Sequence, residues 1–229
     1  MSESDTETVP LRRRRGTYAT GRATQVKIIK AAVALFGESG FNASSLRDIA
    51  KRAGVTHSTL LHHFPTKAEL LRAVLESRDQ GDSILLADKA REGIPFLSAL
   101  VTLMEHNATQ RSLIELYATL SAEATAPTHP AHDYFVDRYE MVIEQNRRAF
   151  TQIKAEGQLR DGCDVERIAR NTAALQDGLQ IQWLLDSRVD MAAGLREFLD
   201  GVLVKPLSEL EQGSANERAS DAAKALPCG

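Results

Sequence analysis

Cysteine, glycine, proline and aromatic side chains are all scarce in this chain, and each scarcity removes a class of protein. Two cysteines, Cys163 and Cys228, make neither a disulfide framework nor a zinc-ligand pattern, and they fit a reducing compartment. Fourteen glycines and seven prolines among 229 residues, gathered in clusters, leave too few turn signals for a many-stranded sandwich or barrel. No uninterrupted apolar run approaches ~18 residues, so no membrane-spanning helix is expected. The N-terminal stretch MSESDTETVPLRRRRG has no apolar run after its charges, which argues against a secretory signal. A cytoplasmic location is the expectation. The length suffices for a buried core without a disulfide or metal staple.

What is present is unevenly distributed. Between Leu11 and Leu75, 12 Lys and Arg stand against 3 Asp and Glu, whereas from Glu76 onward 16 stand against 25. The net charge of −3 therefore conceals a basic N-terminal third on an acidic remainder. That asymmetry suggests a polyanion-binding module joined to a different kind of domain.

Residues 1–21 are polar and aperiodic, and read as a disordered basic arm. From Arg22 the spacing of Val26, Ile29, Val33 and Phe36 predicts a helix that Gly37 and Gly40 end. Ser45 and Asp48 approximate a capping box at the start of a second short helix, and Gly54 suits its left-handed C-terminus. Thr56 caps a third helix, His57 to His63, which Leu60 and Phe64 anchor inward. Pro65 stops it, and Thr66 caps a fourth helix starting at Lys67. Longer helices are predicted at 95–109, 112–124, 131–156, 165–186 and 191–211. No segment alternates with period two. The domain reading is arm 1–21, helix-turn-helix domain 22–66, linking helix with ligand-binding and dimerisation domain 67–211, and a disordered tail 212–229, within an all-α fold.

A short helix, a turn with glycine and a second short helix form the helix-turn-helix, whose second helix enters the DNA major groove and meets base edges with its N-terminal residues. Here that helix carries Thr56, His57, Ser58, Thr59, Leu61, His62 and His63 outside its anchors. Arg12, Arg13, Arg14 and Arg15 suit an arm reaching phosphates or a minor groove, as N-terminal arms do, or a solubilising tail. His62 and His63 are adjacent on a helix and diverge, which favours DNA contact over a metal pair. His129 and His132, near prolines, suit a metal or a solvated loop. No nucleophile–base arrangement and no phosphate-binding glycine loop is visible, so an enzyme is not expected, nor a cofactor or metal.

The stretches IIKAAVALFGESGF, SSLRDIAKRAGV and TLLHHFPTKAELL, all within Ile28–Leu71, resemble the TetR (tetracycline-repressor-like) family of regulators over about a fifth of the chain. SAEATAPTHP and DGLQIQWLLD are also similar to segments of actinobacterial members. The resemblance implies an all-helical homodimer, a three-helix DNA-binding domain, and a C-terminal domain that takes a small-molecule effector. It implies that Ser44 or Ser45 meets phosphate, that His63 and Lys67 grip the DNA backbone, and that Thr59 reads bases or phosphate. It also implies repression of a palindromic operator. Leu61 departs from the family, which usually has tyrosine there; leucine either packs on a thymine methyl or merely covers the domain surface.

In the C-terminal half, Ile168, Thr172, Leu175, Leu179 and Trp183 form one apolar stripe, and Leu195, Phe198 and Val202 belong to another. Two such helices predict a four-helix dimer interface. Polar residues interrupt apolar faces of the middle helices. Met104, Asn107, Tyr117, Glu123, Phe135, Tyr139, Asn146, Asp177 and Gln180 are the candidate effector contacts, with core packing and solvated edges as the plain alternative for each. The expected partners are double-stranded operator DNA, a second copy of the chain and an unknown small molecule, with no membrane. A helical enzyme reusing the fold, or a nonspecific nucleic-acid-binding protein, are the rival readings.

Overall fold

The computed structural model describes residues 14–87 and 93–212, with side chains over 20–78 and 93–212. Among the described residues nine helices run in order: α1 (Arg14–Ala43), α2 (Leu46–Ala53), α3 (His57–His63), α4 (Lys67–Ala87), α5 (Gly93–Asn107), α6 (Arg111–Glu123), α7 (His132–Ala155), α8 (Val165–Leu185) and α9 (Met191–Val202). No helix among them is long and apolar enough to cross a membrane.

The short N-terminal helices begin and end where local chemistry dictates. Ser45 Oγ accepts the Asp48 N–H and so caps α2, and it donates to the Asp48 carboxylate, the short acid bonding the hydroxyl of the cap. Gly54 at φ 67° closes α2, returning its N–H to the carbonyls of Ala50 and Lys51. Thr56 and Thr66 accept the amides of Thr59 and Glu69, three residues on.

Several boundaries differ from the expectation. α1 begins at Arg14 rather than Arg22, so 14–21, read as disordered arm, are helical. This segment has no apolar stripe, but extending an existing helix adds one hydrogen bond per residue without a new nucleation cost. At the other end Gly37 does not stop α1. It stays helical and lets α1 approach α6, while Gly40 (φ 76°, ψ 170°) makes the break. The last helix, expected to continue to 211, ends at Val202. Leu203 forms an isolated antiparallel bridge with Leu159, and Val204 N–H donates to Gln158 O. Pro206 disfavours helical backbone at Lys205. A new helical turn at 207–212 starts where Asp200 Oδ1 accepts the Leu207 N–H.

Two buried clusters organise the chain. One joins α5, α7, α8 and α9 through residues such as Leu97, Met104, Phe150, Trp183 and Leu195. The other contains Phe36, Ile49, Leu60, Leu71 and Val74 of α1–α4, and continues without interruption into Leu116, Tyr117 and Leu120 of α6 and Phe135 of α7. The helix-turn-helix thus shares its core with α6 and α7 of the C-terminal half.

Candidate nucleic-acid interface and effector site

α3 is held by Leu60, which is fully buried, and by Phe64 just past its end. Around that anchor Ser58 and His62 are exposed, and His57, Thr59, Leu61 and His63 are half-buried. The hydroxyls of Thr56, Ser58 and Thr59 form one cluster at the helix start, 2.8–2.9 Å apart through Thr56 Oγ1. A fork of Arg52 onto Glu38, at 2.6 and 2.7 Å, braces α2 against α1 and holds the Glu38 carboxyl below its ordinary range. α3 therefore presents hydroxyl, imidazole and one aliphatic side chain on a braced platform.

Two residues expected to meet phosphate form bonds within the protein. Ser44 is buried, and its hydroxyl donates to Gly40 O at 2.7 Å and Leu35 O at 3.1 Å, so it cannot also face a phosphate. Ser45, the cap of α2, is half-exposed at the surface. Lys67 Nζ donates to Ser44 O at 2.7 Å and Asn42 O at 3.4 Å, and lies 4.3 Å from the Phe41 ring centre. Burial pulls its ammonium pKa down, with Glu123 opposing. Lys67 is thus a tie between α4 and the α1–α2 link. Arg12 and Arg13 lie outside the described residues, as do the side chains of Arg14 and Arg15, whose backbone opens α1.

The candidate effector residues divide. Tyr117, Phe135, Tyr139 and Asp177 come together between α6, α7 and α8. Phe135 meets Tyr117 edge-on at 5.7 Å, with Tyr139 at 6.5 Å. Tyr139 OH donates to Asp177 Oδ2 at 2.6 Å. Burial pushes the Asp177 carboxyl up, against the opposing hydrogen bond from Tyr139 and the charges of Arg138 and Arg78. Burial, and then Asp177, push the Tyr139 phenol up as well.

Three members of this cluster are absent from the sequence-based expectation: Tyr134, whose hydroxyl bonds Tyr117 OH; Arg138, with its guanidinium 5.0 Å from the Tyr117 ring centre; and Arg78 of α4, at 3.6 Å from the same ring. Arg78 is buried and continues the inward positions Leu71, Val74 and Leu75 at helical spacing. A charge on an otherwise apolar stripe is the signal that could have found it.

The other candidates sit apart. Gln180 reaches Met104 Sδ at 4.0 Å, and Asn107 is buried near the end of α5. Asn146 Nδ2 donates to Ala169 O, tying α7 to α8. Glu123 faces the α1–α2 link, where its Oε2 accepts the Phe41 N–H at 2.8 Å. The two histidines differ: His129 is buried and His132 is half-exposed. His129 is buried edge-on against Phe41 and accepts the Ala131 N–H on Nδ1, and His132 Nδ1 bonds Ala124 O. Among the described residues no group of three or more His, Cys, Asp or Glu could hold a metal ion.

Much of the expected dimer stripe turns inward. Ile168, Thr172, Leu179, Trp183 and Leu195 are buried inside the protomer, whereas Leu175, Phe198 and Val202 pack against the same core and stay half-exposed. Leu179 fits against Gly194 of α9, where an added Cβ would lie 2.9 Å from Leu179 Cδ2. The outward face of α8 carries instead Asn171, Ala174, Gly178, Ile181 and Leu185, with Ile181 50% and Leu185 85% exposed.

Residues 28–74 match the family described as bacterial regulatory proteins, tetR family, and residues 97–204 match the C-terminal domain of BetI-type transcriptional repressors. The probable HTH-type transcriptional regulator ArpR of Pseudomonas putida is 28% identical over 205 residues, spanning 81% of this chain and 92% of that protein. TtgR, an HTH-type transcriptional regulator also from Pseudomonas putida, is 27% identical over the same shares. Among solved structures, native NalD, the secondary repressor of the MexAB-OprM multidrug efflux pump in Pseudomonas aeruginosa, superposes with a TM-score of 0.62 at 27% identity, covering 81% of this chain and 98% of that one. All three are named as regulators or repressors of transcription, and none as an enzyme.

Proposed function

Because this chain belongs to the TetR family of bacterial transcriptional regulators, we propose that it represses transcription in the cytoplasm by binding a two-fold operator as a homodimer, and releases that operator when a small molecule binds. The observation that carries the reading is α3: a capped, seven-residue helix with Leu60 buried and hydroxyl and imidazole groups outward, beside a bracing α2. Repression is supported by the role named for NalD.

The homodimer reading rests on the outward face of α8. Asn171, Ala174, Gly178, Ile181 and Leu185 repeat at alternating spacings of three and four, the spacing of a helix–helix seam. The small residues allow close approach, and apart from the adjoining residues and backbone of α8 itself nothing lies within 4 Å of a Cβ placed on Gly178. A two-fold axis through this seam pairs the recognition helices across one face of the duplex.

The effector reading rests on the cluster of Arg78, Tyr117, Phe135, Arg138, Tyr139 and Asp177, three aromatic rings set among two guanidinium groups and a carboxylate. α4 joins the two sites: Lys67 ties its first turn to the α1–α2 link, and Arg78 lies about 16 Å further along the same helix. A ligand that displaces Arg78 tilts a rigid element rooted beside the DNA-reading helices. A coupling of ~1–3 kcal/mol suffices for regulation.

Selection of bound sequences from random duplex DNA with the purified full chain tests the reading. A palindrome with half-sites about one helical turn apart is the expected product. Enrichment of no sequence, with binding set only by salt, overturns it in favour of nonspecific nucleic-acid binding.

A further inference from the structure

Glu123 is far in sequence from the segment it grips. It ends α6, six residues beyond Tyr117, yet its carboxylate reaches the link between α1 and α2. At that point Gly40 turns the chain out of α1 with φ 76°, so the following amide leaves the helical ladder. The Phe41 N–H is that amide, and Glu123 Oε2 accepts it at 2.8 Å. The fit is close: a Cβ on Gly40 would stand 2.2 Å from Glu123 Oε1.

The rest of the link is held just as firmly. Lys67 of α4 donates to the carbonyls of Asn42 and Ser44, and Ser44 Oγ folds back onto Gly40 O. On the far side of Glu123, His129 accepts the Ala131 N–H on Nδ1, and its Nε2 lies 3.6 Å from Glu123 Oε2. The His129 ring packs edge-on against Phe41. The five residues from Gly40 to Ser44, the part of α1 beyond its kink and the step into α2, thus lead to the DNA-reading pair and are gripped by a carboxylate from α6 and an ammonium from α4.

We propose that Glu123 is a positioning residue that latches the α1–α2 link to α6 and so sets the direction in which α2 and α3 project from the regulatory half. The proposal rests on the dimeric operator-binding reading and adds a second lever to α4. Tyr117 of the effector cluster and Glu123 share one helix, so a shift of α6 at Tyr117 pulls on the Phe41 amide. The latch touches no DNA. Its effect falls on the separation of the two recognition helices in the dimer, and hardly at all on the fit of one α3 to one half-site.

The test uses the full chain, the palindrome obtained by selection, versions of it with one base pair added or removed between half-sites, and an isolated half-site. Wild-type protein is expected to lose roughly tenfold or more in affinity at each altered spacing. Glu123→Ala is expected to flatten that discrimination while leaving half-site affinity unchanged. Glu123→Gln, whose amide oxygen still accepts the Phe41 N–H, is expected to restore it. Ile153→Val, a core change remote from the link, controls for lost stability and should discriminate as wild type does. Amide hydrogen exchange supplies a DNA-free reading: Phe41 should exchange faster in Glu123→Ala and at the wild-type rate in Glu123→Gln. Unchanged spacing discrimination in Glu123→Ala, or an equal loss on half-site and palindrome, overturns the proposal, as does unaltered exchange at Phe41. If no palindrome is selected at all, the operator reading fails, and the exchange measurement alone decides whether the latch exists.

Discussion

A Cβ added to Gly37 would lie 3.0 Å from the backbone nitrogen of Leu116, so α1 and α6 meet there at backbone contact. Thr119 Oγ1 seals the approach by donating to Gly37 O at 3.2 Å. Alanine in mid-helix ordinarily gains about 0.5–1 kcal/mol over glycine. Here the intruding methyl meets main chain, which cannot swing aside, and overpacking of this kind costs about 1–3 kcal/mol. Gly37→Ala is therefore expected to lower the denaturant midpoint. A variant as stable as wild type or more so would show that α1 and α6 are free to separate.

Gly178→Ala makes the contrast. No atom of the protomer crowds that position, so the helix-propensity gain stands unless a partner helix occupies the space. Glutamate at Ile181 and Leu185 together is expected to leave the protomer folded, since both are exposed, and to dissociate the dimer in sedimentation. Leu179→Glu buries an unpaired charge beside Gly194, costs several kcal/mol, and should unfold the chain rather than yield a folded monomer. A dimer that survives both changes on the outward face of α8 would move the interface elsewhere.

Asp177 makes stability depend on pH. Its carboxyl pKa is raised in the folded protein, chiefly by burial, so the folded state binds the proton more tightly than the unfolded chain. Its stabilising contribution is complete below the unfolded value and is lost as pH rises through the raised folded value. Asp177→Asn keeps an acceptor for Tyr139 OH and removes the ionisation. The melting temperature of the variant relative to wild type is expected to be higher at neutral pH, with the advantage shrinking on acidification. An equal difference at pH 4 and pH 7 would mean that the carboxylate is adequately paired where it lies.

Specificity and affinity should separate along the reading surface. His57→Ala and Leu61→Ala are expected to change the preferred base at one symmetric position of each half-site, by about 1–3 kcal/mol where a good contact is lost. Thr56→Ala removes the cap of α3 and should cost about 1 kcal/mol of stability as well as affinity for every sequence. Lys67→Ala should act on all sites alike, through the loosened α1–α2 link rather than through a lost phosphate contact. Selections repeated with each variant distinguish these outcomes. An unaltered consensus with His57→Ala and Leu61→Ala would place base reading in Ser58, Thr59 and His62 or in DNA shape.

The features legible in the sequence are those whose partners lie close by. Ser45, Gly54, Thr56 and Thr66 each act within a few residues, so type and spacing suffice to locate α2, α3 and the start of α4. The stripe Ile168, Thr172, Leu179 and Trp183 is apolar and buried as its spacing predicts, but periodicity marks a buried face without telling whether the cover is α9 of the same chain or a helix of another. Ala174 and Gly178, on the outward side, are too small to register as hydrophobic signal. Glu123 reads as one polar residue among apolar ones because Phe41, its hydrogen-bond partner, is 82 residues away. Arg78 is legible in principle, as a charge in phase with Leu71, Val74 and Leu75, but it lies one turn past the apolar residues that define the stripe.

The buried cluster that runs from Phe36 and Val74 into Leu116, Tyr117 and Phe135 bears on how such proteins can be cut and recombined. A fragment ending after α4 would carry the whole DNA-reading apparatus and yet expose the apolar faces that α6 and α7 cover, a surface prone to self-association. Evolution and engineering meet the same obstacle: exchanging the reader between regulators transplants one half of an interface. A workable chimera has to bring along α6, with Leu116 to accept Gly37 and Glu123 to receive the Phe41 amide, so the natural seam of exchange lies beyond α6 rather than at Lys67.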